Sequence, residues 1–123
     1  MPIRVRSAGQ VEIVEITGDF TVGRGALAKP LDLRGRPMED LGLVLADLFG
    51  RGRRRILLDL RHVTFMDSAG LGELVASKKR ALERGGDIKI LRPAQRVRDL
   101  LVMTLLTRVF DIHDDEAAAV RSF

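Results

Sequence analysis

Hydrophobic and polar positions in the first third of the chain predict two strands. Apolar residues are interrupted by charged ones over residues 3–6 and again over residues 11–16, as in half-buried strands. Because Gly9 lies in the short link between them, the two strands are expected to form an antiparallel hairpin. Residues 56–60 are almost continuously apolar, which is typical of a parallel strand covered on both faces. Residues 88–91 predict a further strand.

Apolar residues at helical spacing predict three amphipathic helices and a short closing one. The first covers residues 38–49, with Glu39 and Asp40 in its first turn, where the helix dipole favours acidic side chains. The third begins at Pro93, and its apolar stripe continues to Thr104 and Leu105. The fourth begins near Asp115 and runs through residue 120.

The second predicted helix begins at residue 68 and ends near residue 84, before a pair of glycines. Its expected buried face consists of Leu71, Leu74, Val75 and Leu82. Lys78 falls inside this stripe. Either its aliphatic stem lies along the helix with the ammonium in solvent, or that edge of the helix is exposed.

This order of elements predicts an α/β protein in a single domain over residues 1–123. A strand, a helix and a second strand form a parallel, right-handed crossover by default. We therefore expect a mixed sheet of four to five strands, with the N-terminal antiparallel hairpin beside parallel strands and about four helices covering it. Residues 109–112 are expected to be a short last strand or a packed extended segment. Residues 18–37 are rich in glycine and proline, which predicts a long loop.

Composition narrows the possible chemistry. The chain has 123 residues and no cysteine, so it has no disulfide, no thiolate nucleophile and no cysteine metal site. The net charge of +4 favours acidic partners only weakly. No apolar run approaches the roughly 20 residues that span a bilayer, and residues 1–6 do not resemble a signal peptide. These features suit a cytoplasmic protein that does not contact membranes.

The segment that follows the central strand is the best candidate for a functional site. Residues 61–66 form a predicted irregular link, and Asp67 and Ser68 stand where a helix begins. Either side chain can cap a helix, and since Asp67 suffices, the hydroxyl of Ser68 is free for another role. Gly70 and Gly72 follow, and we expect them to keep this turn accessible. The alternative is an ordinary N-cap. A phosphate on Ser68 would reverse the local charge at a helix N-terminus that can hold it.

Other candidate sites have weaker patterns. His62 and His113 lack the neighbouring ligands of a metal motif, and no nucleophile elbow surrounds Ser68. Residues 23–25 (Gly-Arg-Gly) resemble half of a phosphate loop without its Gly-Lys-Ser/Thr ending. The arginine cluster at residues 51–55 lacks the aromatic residues of a single-strand binding platform, so solvated charge is favoured over nucleic-acid binding.

Residues 55–72, Arg-Ile-Leu-Leu-Asp-Leu-Arg-His-Val-Thr-Phe-Met-Asp-Ser-Ala-Gly-Leu-Gly, resemble the signature of the STAS family, and most closely that of bacterial anti-sigma-factor antagonists. The similarity continues through Lys79-Arg80-Ala81, the glycine pair at 85–86, the strand at 88–91, Arg92-Pro93 and residues 108–112. It also includes Gly18-Asp19-Phe20, which closes the second strand.

The resemblance implies that Ser68 is a phosphoacceptor for an anti-sigma factor that is a serine kinase. The unmodified protein would bind this kinase and release the sigma factor, and a separate serine phosphatase would restore the bound state. The chain would be a switch rather than an enzyme, with no cofactor and no metal. The implied docking face consists of Asp19, Thr21, Asp67, Ser68, Ala69, Gly70, Leu71 and Gly72. Many antagonists carry an aspartate where this chain has Thr21, and its loop at residues 21–37 is longer than usual.

Members of the same family have other roles, which leave two alternatives. One is a scaffold that assembles with other STAS chains in a stressosome-like or transporter-associated complex, suggested by the long loop and by an exposed Lys78. The other is a nucleotide-binding STAS domain, suggested by residues 23–25 and the arginine cluster.

Overall fold

The computed structural model describes residues 3–20 and 41–123, which contain one five-stranded sheet in the order β1-β2-β3-β4-β5. The strands are β1 (Ile3–Ala8), β2 (Val11–Phe20), β3 (Arg55–Met66), β4 (Asp87–Leu91) and β5 (Ile112–His113). The β1–β2 pair is antiparallel and every later pair is parallel. The predicted mixed sheet is therefore confirmed, with a short last strand that begins at Ile112 rather than at residue 109.

Four α-helices accompany the sheet in the described ranges, together with a 3-10 turn over Leu106–Arg108. They are α1 (Leu41–Gly50), α2 (Ser68–Glu83), α3 (Gln95–Met103) and α4 (Glu116–Arg121). Residues 38–40 of the predicted first helix lie outside the described residues. The prediction that α3 continues through Leu105 is wrong, because Leu105 has a left-handed backbone with φ of +62° and the helix ends at Met103. No helix in the described ranges is long and apolar enough to cross a bilayer.

The first half of the central strand β3, residues 56–60, is buried on both faces, as its apolar run predicts. Ile56 and Leu58 pack in the larger core with the apolar residues of α1, α2 and α3. Leu57 points to the opposite face, where it packs in a smaller core with Ala119 of α4. Three helices thus cover one face of the sheet, and the short α4 covers the other.

The C-terminal half of β3 differs from the prediction of an irregular link. Residues 61–66 continue the strand and pair with the end of β2, with Thr17 opposite His62 and Phe20 opposite Met66. A register shift between Gly18 and Asp19 accommodates this long pairing. The neighbouring strand supplies backbone partners that the sequence of this segment does not reveal.

The buried face of α2 also differs from the prediction. Its buried residues are Gly70, Leu74, Ser77 and Ala81. Val75 and Leu82 are 40% and 55% exposed, so their predicted burial is wrong. Lys78 is only 12% exposed, and its ammonium lies 2.5 Å from a carboxylate oxygen of Asp87 at the start of β4. The idea of an exposed Lys78 is therefore wrong as well, and α2 is joined to β4 by this ion pair.

An ion-pair network holds α4 against the sheet. The guanidinium of Arg6 on β1 donates to both carboxylate oxygens of Glu116, at the start of α4. This hydrogen bonding keeps the pKa of Glu116 below its usual range, against the opposing effect of partial burial. Arg92 donates to the buried carboxylate of Asp59 at 3.1 Å and lies 3.8 Å from Glu116. The predicted start of the closing helix is confirmed, since the side chain of Asp115 accepts from the N–H of Ala118.

Candidate functional site

The site is built where β3 extends past its neighbour β4. The pairing between these strands ends at Asp59 and Leu91, whereas β3 continues to Met66 alongside β2. Beyond β4, the other side of β3 is bordered by α3. The turn from β3 into α2 therefore projects at one edge of the sheet, between the end of β2 and the start of α3.

Asp67 caps α2 by itself, as its sequence position suggested. Its backbone is extended, with φ of −96° and ψ of −179°, and its side-chain oxygen accepts from the N–H of Gly70 at 2.7 Å. The carbonyl of Asp67 accepts the first backbone bond of the helix, from Leu71 at 3.0 Å. This geometry is that of an N-cap residue, and it makes Ser68 the first residue inside the helix rather than its cap.

The hydroxyl of Ser68 is exposed and makes no hydrogen bond with any part of the chain that the structure describes. In the same part of the chain, the backbone N–H groups of Ser68 and Ala69 are also without partners. Both groups lie at the positive end of the α2 dipole. An oxyanion attached to the hydroxyl would meet two donors that no other group occupies.

The two glycines of the turn have different roles. A Cβ on Gly72 would meet nothing within 4 Å, so this position is open as predicted. A Cβ on Gly70 would lie 2.3 Å from the carbonyl oxygen of Phe20, and Gly70 is buried. The prediction that Gly70 keeps the turn accessible is therefore wrong. Its missing side chain lets the start of α2 approach the end of β2.

This close approach brings most of the expected docking residues to one edge of the sheet. Asp19 is exposed, and its carboxylate accepts a hydrogen bond from the hydroxyl of Thr64 at 3.2 Å. Ala69 is exposed beside Ser68, whereas Leu71 is half-buried and packs against the larger core. Thr21, the remaining expected residue, and residues 23–25 lie outside the described residues.

A small apolar pocket beside this edge was not predicted from the sequence. It has a volume of about 160 Å³ and lies between the end of β3 and α3. Its rim includes Phe65, which is 50% exposed, and Met103, which is 78% exposed. The sequence did not predict this pocket, because residues 61–66 were expected to be an irregular link. Only their strand geometry and the position of α3 show which side chains of β3 face solvent.

The described ranges contain no group of three or more His, Asp and Glu side chains placed to hold a metal ion. His62 is exposed on β3, and His113 is half-buried on β5. His62, Asp67 and Ser68 do not form a hydrogen-bonded triad, because the carboxylate of Asp67 bonds the backbone of Gly70 instead. The described residues therefore lack the hydrogen-bonded relay of a catalytic triad at this turn.

A family model for the STAS domain matches residues 43–119, which include β3, the turn at Ser68 and all of α2 to β5. The chain belongs to the STAS domain family. The sequence prediction of this family is confirmed; the turn from Asp67 to Gly72 lies within the matched region, whereas Asp19 precedes it.

Individual proteins are similar to this STAS domain in sequence or in fold. An anti-sigma F factor antagonist of Paenibacillus polymyxa is 34% identical over 65 residues, which are 53% of this chain and 56% of that protein. The chain thus aligns with little more than half the length of this relative. The crystal structure of TM1081 from Thermotoga maritima has a TM-score of 0.77 at 22% identity and covers 98% of this chain and 92% of that one.

The anti-sigma factor antagonist SpoIIAA is a further structural neighbour. Its unphosphorylated form has a TM-score of 0.58 at 18% identity and covers 98% of this chain and 96% of that one. The phosphorylated form of SpoIIAA, a Bacillus cell fate determinant, has a TM-score of 0.65 at 14% identity and covers 98% of this chain and 99% of that one. At these identities the likeness establishes the shared fold.

The division of roles between Asp67 and Ser68 predicts unequal effects on stability. Asp67→Ala removes the acceptor for the Gly70 N–H and should lower the free energy of unfolding by about 1 kcal/mol. Ser68→Ala removes an unbonded hydroxyl and should change it by less than about 0.5 kcal/mol. Urea denaturation of both variants would measure this difference. If Ser68→Ala lowered the free energy of unfolding by more than Asp67→Ala does, the serine would contribute to the cap.

Proposed function

We propose that this STAS domain is an anti-sigma-factor antagonist whose binding is switched by phosphorylation of Ser68. The observation that carries this proposal is the exposed, unbonded hydroxyl of Ser68 in the first turn of α2. The relative from Paenibacillus polymyxa bears the name anti-sigma F factor antagonist. The structural neighbour SpoIIAA exists in both phosphorylated and unphosphorylated forms.

The physical basis of the switch is a change of charge without refolding. A phosphoserine adds a charge of about −1.5 to −2 at neutral pH. At residue 68 it would lie near the free N–H groups of Ser68 and Ala69, which favour the added charge. Because Asp67 caps the helix separately, the phosphate would not have to replace the bond that holds the turn.

The proposed partner is an anti-sigma factor of the serine-kinase type, which docks on the edge formed by Asp19, Asp67, Ser68, Ala69 and Gly72. In the unmodified protein this edge presents small side chains and a neutral hydroxyl beside two carboxylates. Gly70 is buried and Leu71 is half-buried, so these two residues support the edge from the side of the core. Thr21 remains a proposed contact of the same partner. A serine phosphatase would return the protein to its binding form in the cytoplasm.

Incubation with candidate anti-sigma kinases and ATP, followed by intact-mass measurement, tests the proposal. We expect one phosphate on the wild-type protein and none on Ser68→Ala. Ser122→Ala is a matched control. Ser122 is also exposed, but it follows α4 and lies beside Lys89 of β4, away from Ser68. It should accept phosphate as the wild type does. Modification of Ser68→Ala to the same extent would remove Ser68 from the proposed switch.

A further inference from the structure

A second concave surface lies at the opposite edge of the sheet from Ser68. It is formed where β3 and β4 begin, between the loop that precedes β3 and the turn that precedes β4. Its volume is about 630 Å³, within the range of about 300–1,000 Å³ that small-molecule sites occupy. At roughly 3.3 Å per residue, the full length of β3 separates it from the Ser68 edge.

The glycines of this pocket, which we call the basic pocket, leave its walls open. Gly52 and Gly85 have φ of +81° and +76°, and a Cβ on either would meet nothing within 4 Å. Gly86 instead packs against the chain, since its Cβ would lie 2.2 Å from the carbonyl oxygen of Arg54. The α1–β3 and α2–β4 loops are therefore held together at the base of the pocket, and no side chains fill the space above Gly52 and Gly85.

Four cationic side chains and one carboxylate line the basic pocket, and most of these charges are already paired. They are Arg53, Arg54, Arg55, Lys89 and Asp87. Arg53 pairs with the buried carboxylate of Glu12, and Asp87 pairs with Lys78.

Lys89 forms part of the wall and is fully occupied. Its ammonium donates to the carbonyl and the hydroxyl of Ser122 at 2.8 and 2.9 Å, and it lies 3.3 Å from a carboxylate oxygen of Asp111. The ring of Phe123 lies 4.8 Å from the same ammonium. The ammonium of Lys89 therefore has protein partners for its hydrogen bonds and its charge. The unpaired positive charge of the pocket belongs to arginine side chains.

Arg54 and Arg55 carry the remaining charge. Both are exposed, and within residues 3–20 and 41–123 neither has a carboxylate at ion-pair distance. The guanidinium of Arg54 donates one hydrogen bond to the backbone carbonyl of Arg84. The guanidinium of Arg55 donates no hydrogen bond to the described part of the chain. Arg54 and Arg55 both line the basic pocket and keep free guanidinium donors, which can bind oxyanions through paired hydrogen bonds.

We propose that the basic pocket binds a small polyanion, whose phosphate or carboxylate groups pair with Arg54 and Arg55. A single small ligand is favoured over an extended surface because the two charges lie in a concave space of limited volume. This site is separate from the Ser68 edge and does not depend on the function proposed for that edge.

Titration calorimetry of the full chain with tripolyphosphate, citrate and ATP, at about 50 mM salt, tests this proposal. We expect at least one anion to bind, and affinity to fall as salt is raised, because salt screens charge. The double variant R54Q/R55Q should bind at least about tenfold more weakly. Binding of tripolyphosphate but not of citrate indicates a phosphate ligand. Binding of citrate but not of tripolyphosphate indicates a carboxylate ligand. Tighter binding of ATP than of tripolyphosphate indicates that a nucleoside occupies the remaining space.

The variant R51Q is the matched control, since Arg51 is in the same loop, pairs with Asp47 and does not line the pocket. It should bind within about twofold of the wild type. R54Q also removes the hydrogen bond to Arg84, so it can change stability as well as charge. The single variant R55Q removes charge alone. It should weaken anion binding severalfold with an unchanged melting temperature. Absence of heat with all three anions, or an equal loss in R51Q and R54Q/R55Q, would overturn the proposal.

Discussion

Ser68→Asp is expected to weaken binding of the proposed anti-sigma factor partner by about 30-fold or more. The substitution adds a negative charge next to Asp67 in the chain, at an edge that also carries the exposed carboxylate of Asp19 and where the proposed partner must exclude water. Leaving a charge buried without a counter-charge in an interface costs about 2–5 kcal/mol, and 2 kcal/mol corresponds to the 30-fold limit. Phosphorylated protein, which carries more charge, should bind at least as weakly. Calorimetric titration with the candidate kinase would measure both.

Two controls separate this effect from a general effect of charge or of losing the hydroxyl. Ser68→Ala should bind within about threefold of the wild type, since the hydroxyl makes no bond that holds the turn. Gln10→Asp adds the same charge at the exposed β1–β2 turn, on the opposite edge of the sheet, and should leave binding unchanged. If Ser68→Asp binds as tightly as Ser68→Ala, charge at this position does not control docking.

Gly70→Ala is expected to lower the free energy of unfolding by about 1–3 kcal/mol, the usual cost of overpacking. The new methyl group would lie 2.3 Å from the carbonyl oxygen of Phe20 and 2.8 Å from its ring carbon Cδ1. A backbone carbonyl in a paired strand cannot rotate away as a flexible side chain can, so the start of α2 must move from β2. Urea denaturation with an unchanged m value would measure the loss.

Gly72→Ala provides the comparison for this prediction. It lies in the same helix two residues later, where a Cβ meets nothing within 4 Å. Replacing an exposed helical glycine with alanine gains up to about 1 kcal/mol of helix propensity, so this variant should be more stable than the wild type. Equal stabilities for the two variants would mean that the contact with Phe20 does not constrain α2. Partner binding should weaken in Gly70→Ala, because displacement of α2 moves Ser68 relative to the end of β2, which carries Asp19.

The chain's own sequence predicted the elements whose cause is local. Alternation over the first twenty residues indicated the hairpin, and the apolar run at 56–60 indicated a strand buried on both faces, as Leu57 and Leu58 in opposite cores confirm. The capping role of Asp67 was also predictable, because a carboxylate reaches the N–H of a residue three positions later without help from the rest of the fold. These features depend on residues that are near one another in the chain.

Tertiary contacts decided the features on which the site depends. The sequence did not show that residues 61–66 continue β3, since their backbone partners come from β2. Nor did it show that Gly70 is buried, because Phe20, the residue that requires its missing side chain, is 50 positions away in sequence. Lys78 pairs with Asp87, while Val75 and Leu82 of the same helix remain exposed. Helical spacing defines which residues share a face, but only the position of α2 on the sheet decides which face is buried.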